Sequence, residues 1–431
     1  MNTETKSPMP GLTVIETVCV DDDATPFGTF QSHNQKVMSN RNGIFMTYLK
    51  TRNEPYTAQT WRLLRSTDGG RTFSTVYEST DATNPPVLES DEQGNIYLIR
   101  PDFVDKNAYL YRFLAQDEYA KPQISTIPKG SGGKYCMVLD PERGQLYYFV
   151  HNNTFHIVDL EGRVRHSSNL LQRGPEAVIG YPHLNLDREG VLHAAWTSVH
   201  NPPPGTAAGR YIYRDIHYMQ SRDGGETWQR MDGTPLSPPI VADRFGPTDR
   251  ITPDEELEDH TWLSSFMPKD GKVHFVYRTH SATEPGPQHY LRYDLKTGGR
   301  EIDVTPEFRG ERISLYHGDG FFATCSREPG SPLYCVMADG ERITCLASKD
   351  NGERWHDYAV SEAAFPPCAQ VKRIYAVGGC PEITEDGYIL GSFTHRLHSA
   401  DPAPGQDTRF IGSHIYFFRM QALPDRPRRS A

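Results

Sequence analysis

Short apolar segments recur along the chain, and each is followed by a polar turn and a second apolar segment. The turns contain Gly and usually Asp, as in Asp91–Gly94 and Asp187–Gly190. A strand, a tight turn and a second strand are typical of a β-hairpin. Seven hairpins are predicted in this way, written as first strand with second strand: 35–38 with 44–48, 87–88 with 96–99, 137–139 with 146–149, 184–186 with 191–196, 262–267 with 273–277, 313–316 with 321–324, and 382–384 with 388–390.

The hairpins follow one another at roughly fifty residues, a spacing that suits four-stranded blades. We therefore predict an all-β chain, a single seven-bladed β-propeller with four-stranded antiparallel blades, with six blades as the alternative. The last hairpin is followed by only one further strand, His414–Phe418, so the N-terminal strand Thr13–Val18 is expected to complete that blade and remove its exposed edge. The propeller is expected to span residues 12–422, between a flexible N-terminus, 1–11, and a flexible tail, 423–431.

Three segments share the pattern Ser-x-Asp-x-Gly-x-Thr-aromatic, the third with Arg354 in place of Thr: Ser66–Phe73, Ser221–Trp228 and Ser348–Trp355. In such a turn the Asp side chain accepts backbone N–H groups, Gly supplies a positive φ, and the aromatic ring fills the space between sheets. These segments resemble the Asp boxes, or BNR repeats, of sialidase-like β-propellers. The resemblance implies that the boxes join the third and fourth strands of a blade, on the face opposite the active site, and that their role is structural.

The chain has 431 residues, a net charge of −10 and a sequence pI near 5.9. Nucleic-acid and membrane-surface proteins carry a basic excess, so neither kind of partner is expected. Residues 1–10 lack the apolar stretch of a secretory signal, and the 7 Cys are scattered without CxxC spacing. Both features favour a cytoplasmic location, and the oligomeric state is left open between monomer and homodimer.

Propeller topology predicts which residues meet on one face, because first strands start there and second strands return to it. Candidates near the start of first strands are His33, Asn34, Tyr181, His183, His260, His317 and Glu382. Candidates after second strands are Arg52, Arg100, Arg278 and Arg396. Arg presents a planar fork that matches a carboxylate, and His can act as acid or base near neutral pH. A ring of His, Arg and Tyr therefore suits an acidic sugar.

The candidate catalytic residues are His33, His183, Tyr181 and His260. The candidate substrate-binding residues are Asn34, Arg52, Arg100, Arg278, His317, Glu382 and Arg396. No metal-binding residue and no cofactor is predicted, although a structural Ca²⁺ in the central channel is left open.

The segment Ser32–Gln35 stands where sialidases have Arg-Ile-Pro, and this departs from the sialidase pattern. Together with the segment Tyr181–His183, it looks like the propeller lyases that act on uronate-containing glycans. That resemblance implies His and Tyr as base and acid of a β-elimination, with Arg or a cation neutralising the uronate carboxylate. The expected function is therefore that of an intracellular carbohydrate-active enzyme, which cleaves a short acidic (uronate-containing) oligosaccharide by elimination.

Two alternatives stay open. An exo-glycoside hydrolase of sialidase-like type would need two carboxylates at a suitable separation, for which Asp102, Asp259 and Glu382 are available. A non-catalytic glycan-binding propeller would bind an oligosaccharide without turnover.

Overall fold

The computed structural model describes residues 11–31, 33–51, 58–175, 177–200, 212–254, 260–280, 285–303, 320–326, 328–365, 374–396 and 412–422. Arg52, Asp259 and His317 lie outside the described residues, as do both predicted terminal segments apart from Gly11. Among the described residues, no helix is long and apolar enough to cross a membrane.

β-Strands make up nearly all of the regular structure in these ranges, and the helix found among them is a short 3-10 turn at Ala115–Asp117. The N-terminal part contains β1 (Thr13–Ala24), β2 (Val37–Asn40), β3 (Gly43–Leu49), β4 (Gln59–Ser66), β5 (Ser74–Ala82), β6 (Val87–Ser90), β7 (Ile96–Pro101), β8 (Ala108–Phe113), β9 (Gln123–Ile127), β10 (Tyr135–Asp140), β11 (Gln145–Val150), β12 (Thr154–Asp159), β13 (Val164–Asn169) and β14 (Leu171–Gln172).

The C-terminal part contains β15 (Ala177–Leu186), β16 (Leu192–His200), β17 (Ile212–Ser221), β18 (Trp228–Gln229), β19 (Pro235–Leu236), β20 (Ile240–Val241), β21 (Asp249–Arg250), β22 (His260–Lys269), β23 (Lys272–His280), β24 (Pro285–Asp294), β25 (Arg300–Asp303), β26 (Gly320–Thr324), β27 (Leu333–Asp339), β28 (Arg342–Ser348), β29 (His356–Ser361), β30 (Ile374–Gly379), β31 (Tyr388–Arg396) and β32 (Ser413–Gln421).

The strands pair antiparallel in groups of four that follow chain order: β2 to β5, β6 to β9, β10 to β13, β15 to β18, β22 to β25, and β26 to β29. A further group has the order β30-β31-β32-β1, in which Thr17 of β1 pairs with Phe418 of β32. The expected pairing of the N-terminal strand with the last hairpin's third strand is therefore confirmed. The all-β class with four-stranded antiparallel sheets is confirmed as well, while the number of blades stays a prediction.

Five of the predicted hairpins pair as expected, from 35–38 with 44–48 through 262–267 with 273–277. The sixth prediction is wrong, because Phe321–Thr324 belongs to β26, and Phe322 pairs with Cys335 of β27. This segment is thus the first strand of its group and not the second. All five residues of β26 are buried, so the segment lacks the polar alternation that would distinguish its position in a sheet.

The seventh hairpin is shifted. Its second strand is β31 as expected, but its first strand is β30, where Gly378 pairs with Ser392, and not residues 382–384. Two glycines at the end of β30 conceal it, because Gly is depleted in strands. Gly379 is required there by packing, since a Cβ on this residue would lie 2.2 Å from the ring of Phe321.

The three Ser-x-Asp segments join the third and fourth strands of their groups, between β4 and β5, β17 and β18, and β28 and β29. Asp223 Oδ1 accepts the backbone N–H of Thr227 at 2.9 Å, and Asp223 Oδ2 accepts the Thr227 hydroxyl at 2.6 Å. In the third segment Arg354 Nε donates to Asp350 Oδ2 at 2.8 Å, so Arg replaces Thr as the donor. The aromatic residues pack on a ring of a neighbouring sheet, with centroid distances of 5.0 Å for Phe73–Phe417, 5.5 Å for Trp228–Phe155 and 5.1 Å for Trp355–Tyr290.

Apolar clusters fill the spaces between adjacent groups of strands. One of them joins Phe149 and Phe155 to Trp196 and Trp228, all of which are buried. Burying each side chain of this size contributes about 2 kcal/mol or more. The sheets therefore form a rigid scaffold, and the loops at their ends can hold side chains in fixed positions.

Candidate active site

Three of the four predicted catalytic residues are in contact. The rings of His33 and His183 stack with centroids 4.5 Å apart, and the ring of Tyr181 meets His33 edge-on at 5.7 Å. His33 lies in the loop before β2, whereas Tyr181 and His183 lie in β15. Residues about 150 positions apart are thus brought together by the arrangement of first strands, as the topology predicts.

A β-bulge in β15 sets the direction of Tyr181. Gly180 pairs with Thr197 and His183 pairs with Ala195, so β15 has one extra residue at this point. Tyr181 has a φ of 51°, in the left-handed region that non-glycine residues seldom adopt. Bulges of this kind redirect side chains next to active sites. The strained conformation is therefore consistent with a working role for Tyr181.

The loop that carries His33 is held together by polar contacts. Gln31 Nε2 donates to the carbonyl oxygen of Gly133 at 2.9 Å, and Gln31 Oε1 accepts from Asn34 Nδ2 at 3.2 Å. The Lys36 ammonium donates to the carbonyl oxygens of Gln31 and of Asn34, and burial lowers its pKa to about 7. The Asn34 amide is thus engaged within the loop, and its predicted substrate contact stays a prediction.

Both imidazoles are neutral at neutral pH. Burial, followed by the influence of His183 and of two lysines, lowers the pKa of His33 well below its ordinary value. Burial lowers the pKa of His183 to about 3. The His33 ring is hydrogen-bonded to the backbone of Tyr135, while its Nε2 atom is buried without a partner. The bond is therefore made by Nδ1, and the lone pair of His33 lies on Nε2.

Aromatic side chains surround Tyr181 on the side away from His33. Its ring lies 5.4 Å from Trp262 and 5.7 Å from Tyr213, and the rings of Trp262 and Tyr213 stack at 3.9 Å. His260, the fourth predicted catalytic residue, begins β22 two residues before Trp262. No printed distance joins it to the stacked pair, and its catalytic role stays a prediction.

Lys134 is a part of the site that the sequence did not reveal. Its ammonium lies 4.3 Å from the ring centroid of Phe30 and 5.1 Å from that of Tyr181. Burial lowers its pKa to about 8. The signal was available, because Lys134 directly precedes the first strand β10, but Tyr135 at the next position was named in its place.

Arg396 is connected to this centre through a row of rings. Its guanidinium lies 3.4 Å from the ring centroid of Tyr375, and its Nε donates to the carbonyl oxygen of Pro26 at 2.9 Å. Tyr375 in turn stacks with Phe30 at 6.4 Å, and Phe30 lies below the Lys134 ammonium. Arg396 therefore lies on the predicted face, at the end of β31.

The two arginines predicted to hold a carboxylate differ in their surroundings, although both are only 4% exposed. Arg100 forms ion pairs with Asp81 at 3.4 Å and with Asp102 at 3.0 Å. Arg278 has no carboxylate within ion-pair distance among the described residues, its Nε is buried without a partner, and burial lowers its pKa. It pairs in register with Trp262, one strand outward from the aromatic group. Of the two, Arg278 is the one free to meet a ligand's carboxylate.

Glu382 was predicted to lie on this face, and that prediction is wrong. Because β30 is the first strand of its group, Glu382 follows that strand and lies at the opposite end of the sheet from Tyr375 and Arg396. Its two carboxylate oxygens each accept the backbone N–H of Ser326 at 3.1 Å. The carboxylate therefore holds a loop beyond the end of β26.

Metal ligands do not cluster within the described ranges, where no group of three or more His, Cys, Asp or Glu could hold an ion. Lys36 already donates to the two loop carbonyls closest to the central first strands.

Comparisons with known proteins agree with this fold. Residues 142–305 match the model of a family described as BNR repeat-containing family members. An ulvan lyase from a new family of polysaccharide lyases is 11% identical, with a TM-score of 0.62 over 93% of this chain and 95% of that chain. The same holds for its structure bound to -[GlcA(1-4)Rha3S]-. The polysaccharide lyase Uly1 is 11% identical, with a TM-score of 0.57 over 95% of this chain and 100% of that one.

No curated protein matches the chain by sequence. The expected resemblance to BNR-repeat propellers, including propeller polysaccharide lyases, is confirmed, and the fold is that of a β-propeller. At 11% identity the likeness to the lyases concerns the fold alone.

Proposed function

We propose that this chain is an intracellular carbohydrate-active enzyme that cleaves a short uronate-containing oligosaccharide by β-elimination. The observation that carries the proposal is the stack of His33 on His183 with Tyr181 at its edge. A neutral imidazole with a free lone pair and a phenol in one site are the base and the acid that an elimination needs.

In the proposed reaction, His33 Nε2 removes the proton from C5 of the uronate, and Tyr181 gives its proton to the leaving oxygen on C4. The C4–O bond breaks as a double bond forms between C4 and C5. His183 packs against His33 on one side and lies 6.3 Å from Phe266 on the other, so it fixes the orientation of the His33 ring. The low pKa of His33 is expected to rise when an anionic substrate binds, because a nearby negative charge favours the imidazolium.

Two cations on this part of the protein favour an acidic substrate. Neither Lys134 nor Arg278 has a carboxylate within ion-pair distance among the described residues, and both are at least partly buried. A buried cation without a counter-ion is costly, and an anionic ligand would compensate that cost. Because an ulvan lyase of similar fold was determined with -[GlcA(1-4)Rha3S]-, glucuronate–rhamnose oligosaccharides are the first substrates to test.

The proposal includes a seven-bladed propeller in the cytoplasm. The seven four-stranded groups among the described strands support that blade number. Hydrolysis by a carboxylate pair has less support, because Asp102 is paired with Arg100 and Glu382 holds a loop at the other end of its sheet.

The experiment is incubation with a panel of uronate oligosaccharides, followed by absorbance of the conjugated enoate and by mass spectrometry. Elimination gives products whose masses sum to that of the substrate and one of which absorbs. Products heavier by one water and without the double bond would refute elimination and favour hydrolysis. Binding across the panel without any turnover would favour the non-catalytic glycan-binding propeller.

A further inference from the structure

The ammonium group of Lys134 is the cation nearest to the proposed acid and base. It lies against the rings of Phe30 and Tyr181, at 4.3 and 5.1 Å from their centroids. Its charge also acts on His33, whose pKa it lowers. Within the described ranges this ammonium makes no ion pair or hydrogen bond, so its charge is not compensated by the protein there.

The backbone around Lys134 is fixed. The N–H of Lys134 donates to His151 Nδ1 at 3.2 Å. The carbonyl oxygen of Gly133 accepts from Gln31 Nε2 at 2.9 Å and from Asn84 Nδ2 at 3.1 Å. These bonds tie the residue to the loop of His33 and to a neighbouring sheet. A charge held in place before substrate arrives requires little reorganisation during the reaction.

We propose that Lys134 binds and neutralises the carboxylate of the sugar whose C5 proton is removed by His33. This inference rests on the proposed function and assigns the residue that completes it. The arginines are placed differently: Arg100 is held by two carboxylates, and Arg278 lies one strand outward from the aromatic group. Arg278 is then left for a second acidic group of the substrate.

The chemistry requires a cation at this place. When the C5–H bond breaks and its proton moves to His33, the electron pair left on C5 spreads into the carboxylate, which gains a second negative charge. A positive charge in contact with the carboxylate oxygens stabilises that state. The charge is relieved when the C4–O bond breaks and the leaving oxygen takes the proton of Tyr181. No oxidant, reductant or further reactant takes part.

The pH dependence of Lys134 agrees with this role. Burial lowers the pKa of its ammonium to about 8, so the residue is mostly charged at neutral pH and loses its charge above pH 8. A bound carboxylate favours the charged form and raises this pKa. The alkaline limb of kcat/KM is therefore expected near pH 8, and the alkaline limb of kcat at a higher pH.

The test compares Lys134→Met with the wild type on a uronate oligosaccharide and on its methyl ester. The ester has no carboxylate charge, so the variant should lose kcat/KM by about 100-fold or more on the free acid and by far less on the ester. Lys134→Arg should recover part of the activity on the free acid. Lys129→Met is the matched control, because Lys129 is exposed in the same loop region, and it should behave as the wild type.

An equal loss on both substrates would overturn the role of Lys134 and leave the proposed function standing. If the wild type makes no enoate from either substrate, the proposed function is wrong, and calorimetric titration with the glucuronate–rhamnose oligosaccharide and its ester then tests Lys134 alone. Weaker binding of the free acid by Lys134→Met, with unchanged binding of the ester, would support the carboxylate contact. Equal affinities in wild type and variant, or no binding of either probe, would refute it.

Discussion

His33 and His183 lie ring against ring, with their centroids 4.5 Å apart and their planes inclined by 30°. Burial lowers the pKa of both, and each imidazolium would disfavour protonation of the other. The two rings therefore accept at most one proton between them near neutral pH, and they titrate as a pair. A site of this kind begins the reaction with an available base.

Replacement of His33 tests the base directly. We expect His33→Ala to reduce kcat by about 10² to 10⁴-fold, the range that a positioned general base contributes. The melting temperature should change only slightly, because His33 lies in a loop and its Nε2 makes no hydrogen bond. His166→Ala, at an exposed position of β13, is the control. A large loss of stability in His33→Ala would indicate a structural residue.

Tyr181 is expected to act as the acid, and a change of leaving group can isolate that step. Tyr181→Phe keeps the ring that contacts Trp262 and Lys134 but removes the proton donor. Turnover of an oligosaccharide should fall by about 100-fold or more. A uronate that carries fluoride on C4 needs no proton on its leaving group, so the variant should process it nearly as well as the wild type. Similar losses on the two substrates would exclude the acid role.

The sequence predicts this centre because turn signals locate the first strands. The turns Asn40–Gly43 and Asp187–Gly190 place β2 and β15, and His33, Tyr181 and His183 then follow from topology. Glu382 was misplaced for the same reason, since the turn at Asp386–Gly387 is real but the strand before it was taken to start too late.

Partners contributed by distant segments could not be predicted. Arg100 and Arg278 are equivalent by sequence, because each lies near the end of a second strand. They differ through Asp81 and Asp102, which converge on Arg100 only after the sheet has formed. Lys134 was overlooked because an ammonium stacked on rings leaves no pattern in the sequence.

This difference between the two arginines predicts opposite effects on stability. Arg100→Met should lower the free energy of unfolding by at least about 2 kcal/mol, because it leaves two carboxylates without their partner. Arg278→Met should leave stability unchanged or raise it, because it removes a buried charge that has no carboxylate partner among the described residues. Urea denaturation measures both changes.

Substrate binding should separate the same two variants in the other direction. Arg278→Met is expected to raise KM for an acidic oligosaccharide, whereas Arg100→Met should alter KM little once unfolding is corrected for. If Arg278→Met lost as much stability as Arg100→Met, Arg278 would have a structural partner and its assignment to substrate would fail.

Buried histidines predict that the fold loses stability in mild acid. Burial lowers the pKa of five of them, to about 4 for His151, His156 and His217 and to about 3 for His183 and His274. The unfolded chain has ordinary histidine pKa values near 6.5. Below that pH the unfolded state binds protons that the native state does not, so stability falls as the pH is lowered from about 6.5 towards the folded values.

His274 provides the clearest test because it lies away from the stacked pair. Its Nδ1 lies 2.7 Å from the Tyr290 hydroxyl, and its Nε2 lies 3.1 Å from Asn351 Oδ1. Between pH 7 and pH 5 one such histidine contributes about 2 kcal/mol to the loss of stability. His274→Gln keeps a neutral polar side chain that does not titrate, so urea midpoints should show a loss smaller by that amount. His166→Gln should reproduce the wild-type loss, and a wild-type loss in His274→Gln as well would mean that native His274 is protonated at its ordinary pKa.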